Sequence, residues 1–150
     1  MEKLYNELMA YLQSHAEDLG ISSIDEDWGQ LEALLNGEDT YPVTFPCLLI
    51  SFSETQWSDL QSAAAKQRGD MRITTRLAFD CWDDTHAGSE QQCYGAVRHH
   101  VAGELHNLLQ GKRPESVNGA SALSRAASRT ISLPHGIKVY ETDYRLRLNG

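Results

Sequence analysis

The chain has 150 residues, of which 41% are apolar and 23% are charged, the composition of an ordinary globular domain. Its 13 lysines and arginines against 21 aspartates and glutamates give a net charge of −8, which argues against binding to nucleic acid or anionic lipid. No apolar run approaches the roughly 18 residues of a membrane span, and the acidic, amphipathic start predicts no secretory signal. We therefore expect a single cytoplasmic domain over residues 1–150, with three reduced cysteines and neither a membrane nor a nucleic-acid partner.

Periodicity in the first fifty residues predicts a helix followed by strands. Leu4, Leu8, Leu12 and Leu19 recur at helical spacing, and Gly20 is a good stop for the helix. The segments after it are predicted, in order, as a strand at Ile21–Trp28, a helical turn at Gln30–Leu35 and a central strand at Cys47–Phe52.

The middle of the chain combines the least regular segment with the best strand. Ser53–Asp70 shows no sustained period and is predicted to be a long polar loop, a kind of segment that is often functional. Arg72–Trp82 then alternates strictly, and its predicted buried face consists of Ile73, Thr75, Leu77, Phe79 and Cys81. We expect this strand to pair antiparallel with Cys47–Phe52 and to turn Arg72 and Arg76 outward.

The last sixty residues predict a second helix and a strand pair. The helix, Ser89–Gly111, has a predicted buried stripe at Tyr94, Val97, Val101, Leu105 and Leu108. A polar loop at Lys112–Ala122 precedes strands at Leu123–Ile131 and Ile137–Leu148, which flank a Pro134-His135-Gly136 turn. The sequence therefore predicts an α+β domain: an antiparallel sheet of about four to five strands with two main helices packed on one face.

The clearest candidates for chemistry lie together on the second predicted helix: His99, His100, Glu104 and His106. His100 and Glu104 are one turn apart and could share a metal, with Cys93 on roughly the same side. The metalloprotease spacing is absent. A solvated helix flank is therefore the favoured interpretation, and a metal-dependent enzyme using His99, His100 and His106 is the weaker alternative.

The remaining nucleophiles and carboxylates predict no active site. Cys47 and Cys81 occupy apolar strand positions, where thiols behave as small inert side chains. Cys93, at a helix start, is the one thiol with a reason for a lowered pKa. The acidic runs Asp25-Glu26-Asp27 and Asp83-Asp84 lack EF-hand spacing and are interpreted as solvated turns. We expect no catalytic residue, metal or cofactor.

Other features predict a surface that contacts a partner. Trp57 sits in the predicted polar loop, where no core pattern requires it, and an exposed tryptophan is a favoured interface anchor. Burial of that ring against its own sheet is the alternative. Two groups of opposite charge could form complementary halves of a contact between copies of the chain. The basic group is Arg68, Arg72 and Arg76, and the acidic group is Asp25, Glu26 and Asp27.

The order of the elements and a few short motifs resemble a known family. An amphipathic helix leads to Phe45-Pro46-Cys47-Leu48-Leu49-Ile50, a polar loop with Gly69 follows, and the next strand ends in Ala78-Phe79-Asp80-Cys81-Trp82. One helix and a closing strand pair complete the pattern. Over roughly Leu4 to Leu148, the chain resembles the tail terminator and tail completion proteins of long-tailed bacteriophages and of prophages.

The resemblance implies an α+β subunit that forms a ring, commonly hexameric, at the head-proximal end of the tail tube. Such a ring stops tube growth and offers a surface to the head connector, and it implies no substrate, cofactor or catalytic residue. The implied partners are copies of the chain, the tail tube and the head connector, within a virion built in a bacterial host. The chain departs from the family at its long loop, where Ala63-Ala64-Ala65 could form a short helix. A small cytoplasmic adaptor or immunity-like protein is the alternative from another class.

Overall fold

The computed structural model describes residues 1–37, 44–60, 66–81 and 89–149, and the side chains within these ranges except those of residues 89–94 and 149. In chain order, its elements are α1 (Glu2–Leu19), β1 (Ser23–Glu26), α2 (Gln30–Leu35), β2 (Cys47–Asp59), β3 (Gln67–Asp80), α3 (Ser89–Leu109), β4 (Ser124–Leu133) and β5 (Ile137–Asn149). A short 3-10 turn at Pro134–Gly136 joins β4 to β5, as predicted. Trp82, the last residue of the predicted strand Arg72–Trp82, lies outside the described residues. The Ala63-Ala64-Ala65 segment lies wholly outside them.

The five strands of the described residues belong to one sheet, in the order β1-β2-β3-β5-β4. The β2–β3, β3–β5 and β5–β4 pairs are antiparallel, whereas β1 runs parallel to β2. The predicted α+β class is confirmed, and the expectation of a wholly antiparallel sheet is wrong at this edge. The reason is the connection: the chain leaves β1 through α2 before it enters β2, and parallel neighbours need such a crossover.

The two long helices cover one face of the sheet, as predicted. α1 buries its leucine stripe at Leu4, Leu8 and Leu12, and it ends at Gly20, whose φ of 74° glycine adopts without strain. These leucines join Leu105 and Leu109 of α3 in one apolar core. The sheet contributes the predicted alternating face of β3 to that core, including Ile73, Leu77 and Phe79.

The predicted stripe of α3 is only partly right. Leu105 is buried and Val101 packs against the core, but Leu109 rather than Leu108 fills the next buried position. The predicted burial of Val97 is wrong, since this residue is 51% exposed and lies N-terminal to the part of α3 that joins the core. The side chain of Tyr94 lies outside the described residues. No helix among the described residues is long and apolar enough to cross a membrane.

The short helix α2 covers one end of the opposite sheet face. Its Leu31 packs there in a second apolar cluster with Cys47, Leu49, Ala78 and Val139. The rest of that face is lined by polar and charged side chains of β2, β3 and β5. We call this part the open face.

The prediction of a long loop at Ser53–Asp70 is wrong. β2 continues through Asp59 and β3 begins at Gln67, and Asp59 pairs with Gln67. Residues 53–59 and 67–70 therefore form a hairpin, which we call the hairpin arm. A backbone bond from Leu60 N–H to Lys66 O, 2.9 Å long, extends the pairing toward the tip. The arm was missed because most of its side chains are exposed on both faces, so no apolar alternation marks it as a strand.

Candidate assembly surface

Trp57 lies on the hairpin arm, where its indole ring packs on a neighbouring strand and is still partly exposed to solvent. Its strand position is opposite Gly69 of β3. A Cβ atom at Gly69 would lie 2.8 Å from Cζ3 and 2.9 Å from Cε3 of the indole, so the ring rests directly on the glycine backbone. The residue is nonetheless 49% exposed. Gly69 therefore holds in place a large aromatic surface that remains accessible to a partner.

The acidic group predicted as one half of a contact is divided by the structure. Asp25 and Glu26 of β1 are exposed at the edge of the sheet. Asp25 Oδ1 accepts the backbone N–H of Glu26 at 2.8 Å. Asp27 turns inward instead, and its side chain is 11% exposed. Two carboxylates therefore remain at this edge for a partner.

Arg76 is the predicted interface residue whose placement differs most from expectation. It was expected to face solvent, but its side chain is 14% exposed and lies 2.9 Å from Asp27 and 3.0 Å from Glu32. Burial by itself would lower the pKa of Arg76, but the hydrogen bonds to Asp27 and Glu32 raise it overall. The expectation of an outward arginine is wrong because α2 folds back over this end of β3. Arg76 thus connects β3 to α2 and to the segment that joins β1 to α2.

The other two predicted arginines are on the surface. Arg68 lies on the arm opposite Ser58, and Arg72 lies between Glu54 of β2 and Arg145 of β5. Arg72 and Arg145 are direct cross-strand neighbours of like charge, an arrangement that is unfavourable unless other charges compensate it. Within the described residues, neither forms an ion pair. The structure thus leaves two adjacent cations on the open face.

Sequence reasoning missed the groove that surrounds this arginine pair. The groove measures about 590 Å³ and runs across the open face from the arm to the start of β4. Its charged lining residues are Glu54, Asp70, Arg72, Arg145 and Arg147. Arg147 lies 3.7 Å from Asp70, so that pair is partly neutralised. The alternation of β5 marks its outward charges, but the register that sets Arg145 beside Arg72 is a tertiary property.

A second charged network stabilises the middle of the open face. Arg129 of β4 forms ion pairs with Glu141 and with Asp143, the latter at 2.8 Å. Thr74 donates a 2.8 Å hydrogen bond to Asp143 from the neighbouring strand. Burial would raise the pKa of Asp143, but the hydrogen bonds from Arg129 and Thr74 hold it below its ordinary value. Because the residues of this network bind one another, we assign them a structural role and not a role in partner binding.

The histidine cluster divides into two contacts and an exposed residue. The His106 ring stacks on Tyr144, with Nδ1 2.8 Å from its hydroxyl oxygen, and the His99 ring meets Tyr140 edge to face. Burial, and to a smaller extent the charge of Arg125, lowers the pKa of His106. The expectation of a solvated flank is therefore wrong for His106. No group of three metal-binding side chains occurs in the described part of the chain.

Two of the three thiols, those of Cys47 and Cys81, lie among the described side chains. Cys47 is fully buried, and this burial raises its pKa to about 11, as expected for an inert core thiol. Cys81 is half-buried at the end of β3. The side chain of Cys93, and the whole of Asp83-Asp84, lie outside the described residues. The sequence predictions for those positions stay predictions.

The fold has a counterpart among solved structures. A chain in the structure of the virion of a native gene transfer agent (GTA) particle has a TM-score of 0.58 to this chain and 12% sequence identity, with 98% of each chain covered. Comparison with protein families and with curated proteins finds no match. At this identity, the likeness shows that the two chains share a fold over nearly their whole lengths.

Proposed function

We propose that the chain is a structural subunit of a phage or prophage particle, which forms a ring that caps the tail tube and helps to join the tail to the head. The observation that carries the proposal is the shared fold, over 98% of both chains, with a chain of a gene transfer agent virion. On this proposal the chain works by binding and not by catalysis. Its partners are its own copies, the tail tube and the head connector, and it enters the virion in the bacterial host.

A ring requires two different surfaces on each subunit, because its contacts are head-to-tail and not self-complementary. The exposed carboxylates of Asp25 and Glu26 supply one surface, at the β1 edge of the sheet. Arg72 and Arg145, in the groove of the open face, supply the other. In the proposed ring, the acidic edge of one copy meets the arginine pair of the next. Asp27 and Arg76 take no part, since they pair inside the chain.

The hairpin arm supplies the second kind of contact. Trp57 and Leu60 are exposed apolar side chains on this arm. The indole of Trp57 loses little freedom on binding, because Gly69 already fixes its position. In the proposal, this residue anchors the subunit to the tail tube or to the neighbouring copy.

Charge reversal followed by charge exchange tests the ring contact. Tails are assembled with Arg72→Glu together with Arg145→Glu, with Asp25→Arg together with Glu26→Arg, and with all four changes in one chain. Each double variant should give overlong or headless tails in electron micrographs, and the combination should restore tails of normal length with heads. Arg113→Glu, on the exposed loop before β4, is the matched control and should assemble normally. Normal tails from both double variants would overturn the proposed contact.

Truncation of the anchor tests the arm separately. Trp57→Ala should weaken assembly by about 2 kcal/mol or more if this residue is a hot spot. The measurement is the concentration of subunit needed to terminate purified tail tubes. An unchanged concentration would remove Trp57 from the proposed contact and leave the charge-exchange test unaffected.

A further inference from the structure

The two edges of the sheet are protected to very different degrees. At one edge, β1 has four residues, and Asp25 accepts the N–H of Glu26 with its own side chain. At the other edge, β4 has ten residues, Ser124–Leu133, with no proline and no acidic residue, and nearly all of them are exposed. Natural proteins usually blunt exposed edges with charges, bulges or short strands, because free N–H and C=O groups accept another strand. β4 has a bulge only at its start, between Arg125 and Ala127.

Two hydrogen bonds between β5 and the segment before β4 show which backbone groups of β4 face outward. Arg147 N–H donates to Ser121 Oγ and Ser121 N–H donates to Arg147 O, so Arg147 turns its backbone toward the β4 side. Alternation along the regular strand β5 makes Asp143 face the same way, where it pairs with Ala127. Ser128, Thr130 and Ser132 therefore direct their N–H and C=O groups away from the sheet. Within the described part of the chain, those groups have no partner.

These three outward positions are self-complementary. If two copies of β4 run antiparallel about a two-fold axis at Thr130, Thr130 lies opposite Thr130 of the second copy. Ser128 then lies opposite Ser132, and each opposed pair exchanges two backbone hydrogen bonds. Hydroxyl side chains opposite one another are also favourable cross-strand pairs. We infer that the free edge of β4 binds β4 of a second copy, so that two five-stranded sheets become one continuous sheet.

Charge does not oppose this register. Arg129 is the one charged side chain between Ala127 and Leu133, and it is already held by Glu141 and Asp143 of its own chain. With the axis at Thr130, Arg129 of one copy lies opposite Ile131 of the other and not opposite a second arginine. Two-fold pairing thus brings no unpaired like charges together, although each chain carries a net charge of −8.

This dimer goes beyond the proposed function and stands apart from it. The ring contact uses Asp25, Glu26 and the arginine pair of the open face, whereas the dimer uses the backbone of β4. A two-fold contact closes after two copies and does not by itself build a ring. Failure of one contact therefore leaves the other intact, and the two are measured in different assays.

A proline substitution tests the edge without disturbing the sheet. Thr130→Pro removes an outward N–H and no hydrogen bond to β5, and edge strands tolerate proline at such positions. Sedimentation equilibrium should show a concentration-dependent dimer for the wild type and for Thr130→Ala. For Thr130→Pro the dissociation constant should rise by about tenfold or more, with the thermal unfolding midpoint nearly unchanged. Wild-type protein that stays monomeric throughout the concentration range, or an undiminished Thr130→Pro dimer, would overturn the inference.

Cysteine cross-linking reads the register directly and does not depend on the folding of the proline variant. In a background with Cys81→Ser and Cys93→Ser, Thr130→Cys should form a covalent dimer on mild oxidation, since the two copies of residue 130 face each other. Ser128→Cys alone should not, whereas a mixture of Ser128→Cys and Ser132→Cys chains should. Equal cross-linking of Thr130→Cys and Ser128→Cys, or none by Thr130→Cys, would exclude the two-fold pairing.

Discussion

The indole of Trp57 stands where a side chain of residue 69 would stand: a Cβ on Gly69 would lie 2.8 Å from its Cζ3 atom. Real Cβ atoms essentially never come that close, so any side chain at Gly69 must push the ring away. A glycine under an aromatic cross-strand neighbour is a known way to keep a strand stable where glycine itself is unfavourable. The pair therefore explains both the glycine and the exposed tryptophan of the arm.

Gly69→Ala should destabilise the protein through this contact. Overpacking of a well-packed core costs about 1–3 kcal/mol. Because the Trp57 ring is half-exposed and can shift, we expect a cost at the low end of that range, about 1 kcal/mol, in urea unfolding of Gly69→Ala against wild type. The matched background is Trp57→Ala, in which the obstacle is gone and the same glycine substitution should cost clearly less. If the cost were the same in both backgrounds, the indole would not be the group that restricts residue 69.

Arg76 should be a stability residue, in contrast to Arg72. Its side chain is nearly buried between Asp27 and Glu32, so Arg76→Ala leaves a carboxylate with little access to water. Removal of one partner of a buried pair costs about 3–5 kcal/mol. The exposed Arg72→Ala is the control and should change the free energy of unfolding by about 0.5 kcal/mol or less. Equal effects of the two substitutions in urea unfolding would contradict the burial of the Asp27 pair.

Asp143 should make stability depend on pH on the acid side. Its pKa is lower in the folded chain than its ordinary value, so the folded state binds this proton less readily than the unfolded state does. Its contribution is therefore complete above about pH 4 and is lost as the pH falls through the lowered pKa. The difference in unfolding free energy between wild type and Asp143→Asn should shrink between pH 7 and strongly acidic buffer. A difference that stays constant would exclude this role.

The histidines of α3 should differ in their effect on stability. His106→Gln should cost about 1 kcal/mol, because it disturbs the contact with the buried hydroxyl of Tyr144. The exposed His100 is the matched control, and His100→Gln should lie within about 0.5 kcal/mol of wild type. Thermal unfolding of the two variants and the wild type measures both differences in stability. Stoichiometric zinc in the purified protein that is lost in either variant would instead favour the metal-dependent alternative.

Local periodicity was sufficient for the elements whose burial is regular. The leucine stripe of α1 and the alternation that buries Ile73 and Phe79 follow from neighbours in sequence, because a helix or a half-buried strand repeats its apolar side chains at a fixed period. The turn between β4 and β5 was predictable for the same reason, since Pro134 and Gly136 interrupt two alternating runs. From these elements the α+β class and the helix-covered face could be predicted.

Strand order and side-chain partners were decided by the tertiary structure. The arm of β2 and β3 is polar on both faces, so only its backbone pairing makes it a strand. The sequence predicts that Arg76 and Asp27 face solvent. In the structure they pair beneath α2, which removes both from the candidate surface. Arg145 became part of that surface because the β3–β5 register sets it beside Arg72. Hydrogen-bonded neighbours in a sheet and ion pairs across it connect residues far apart in the chain, and no local pattern records which of them will meet.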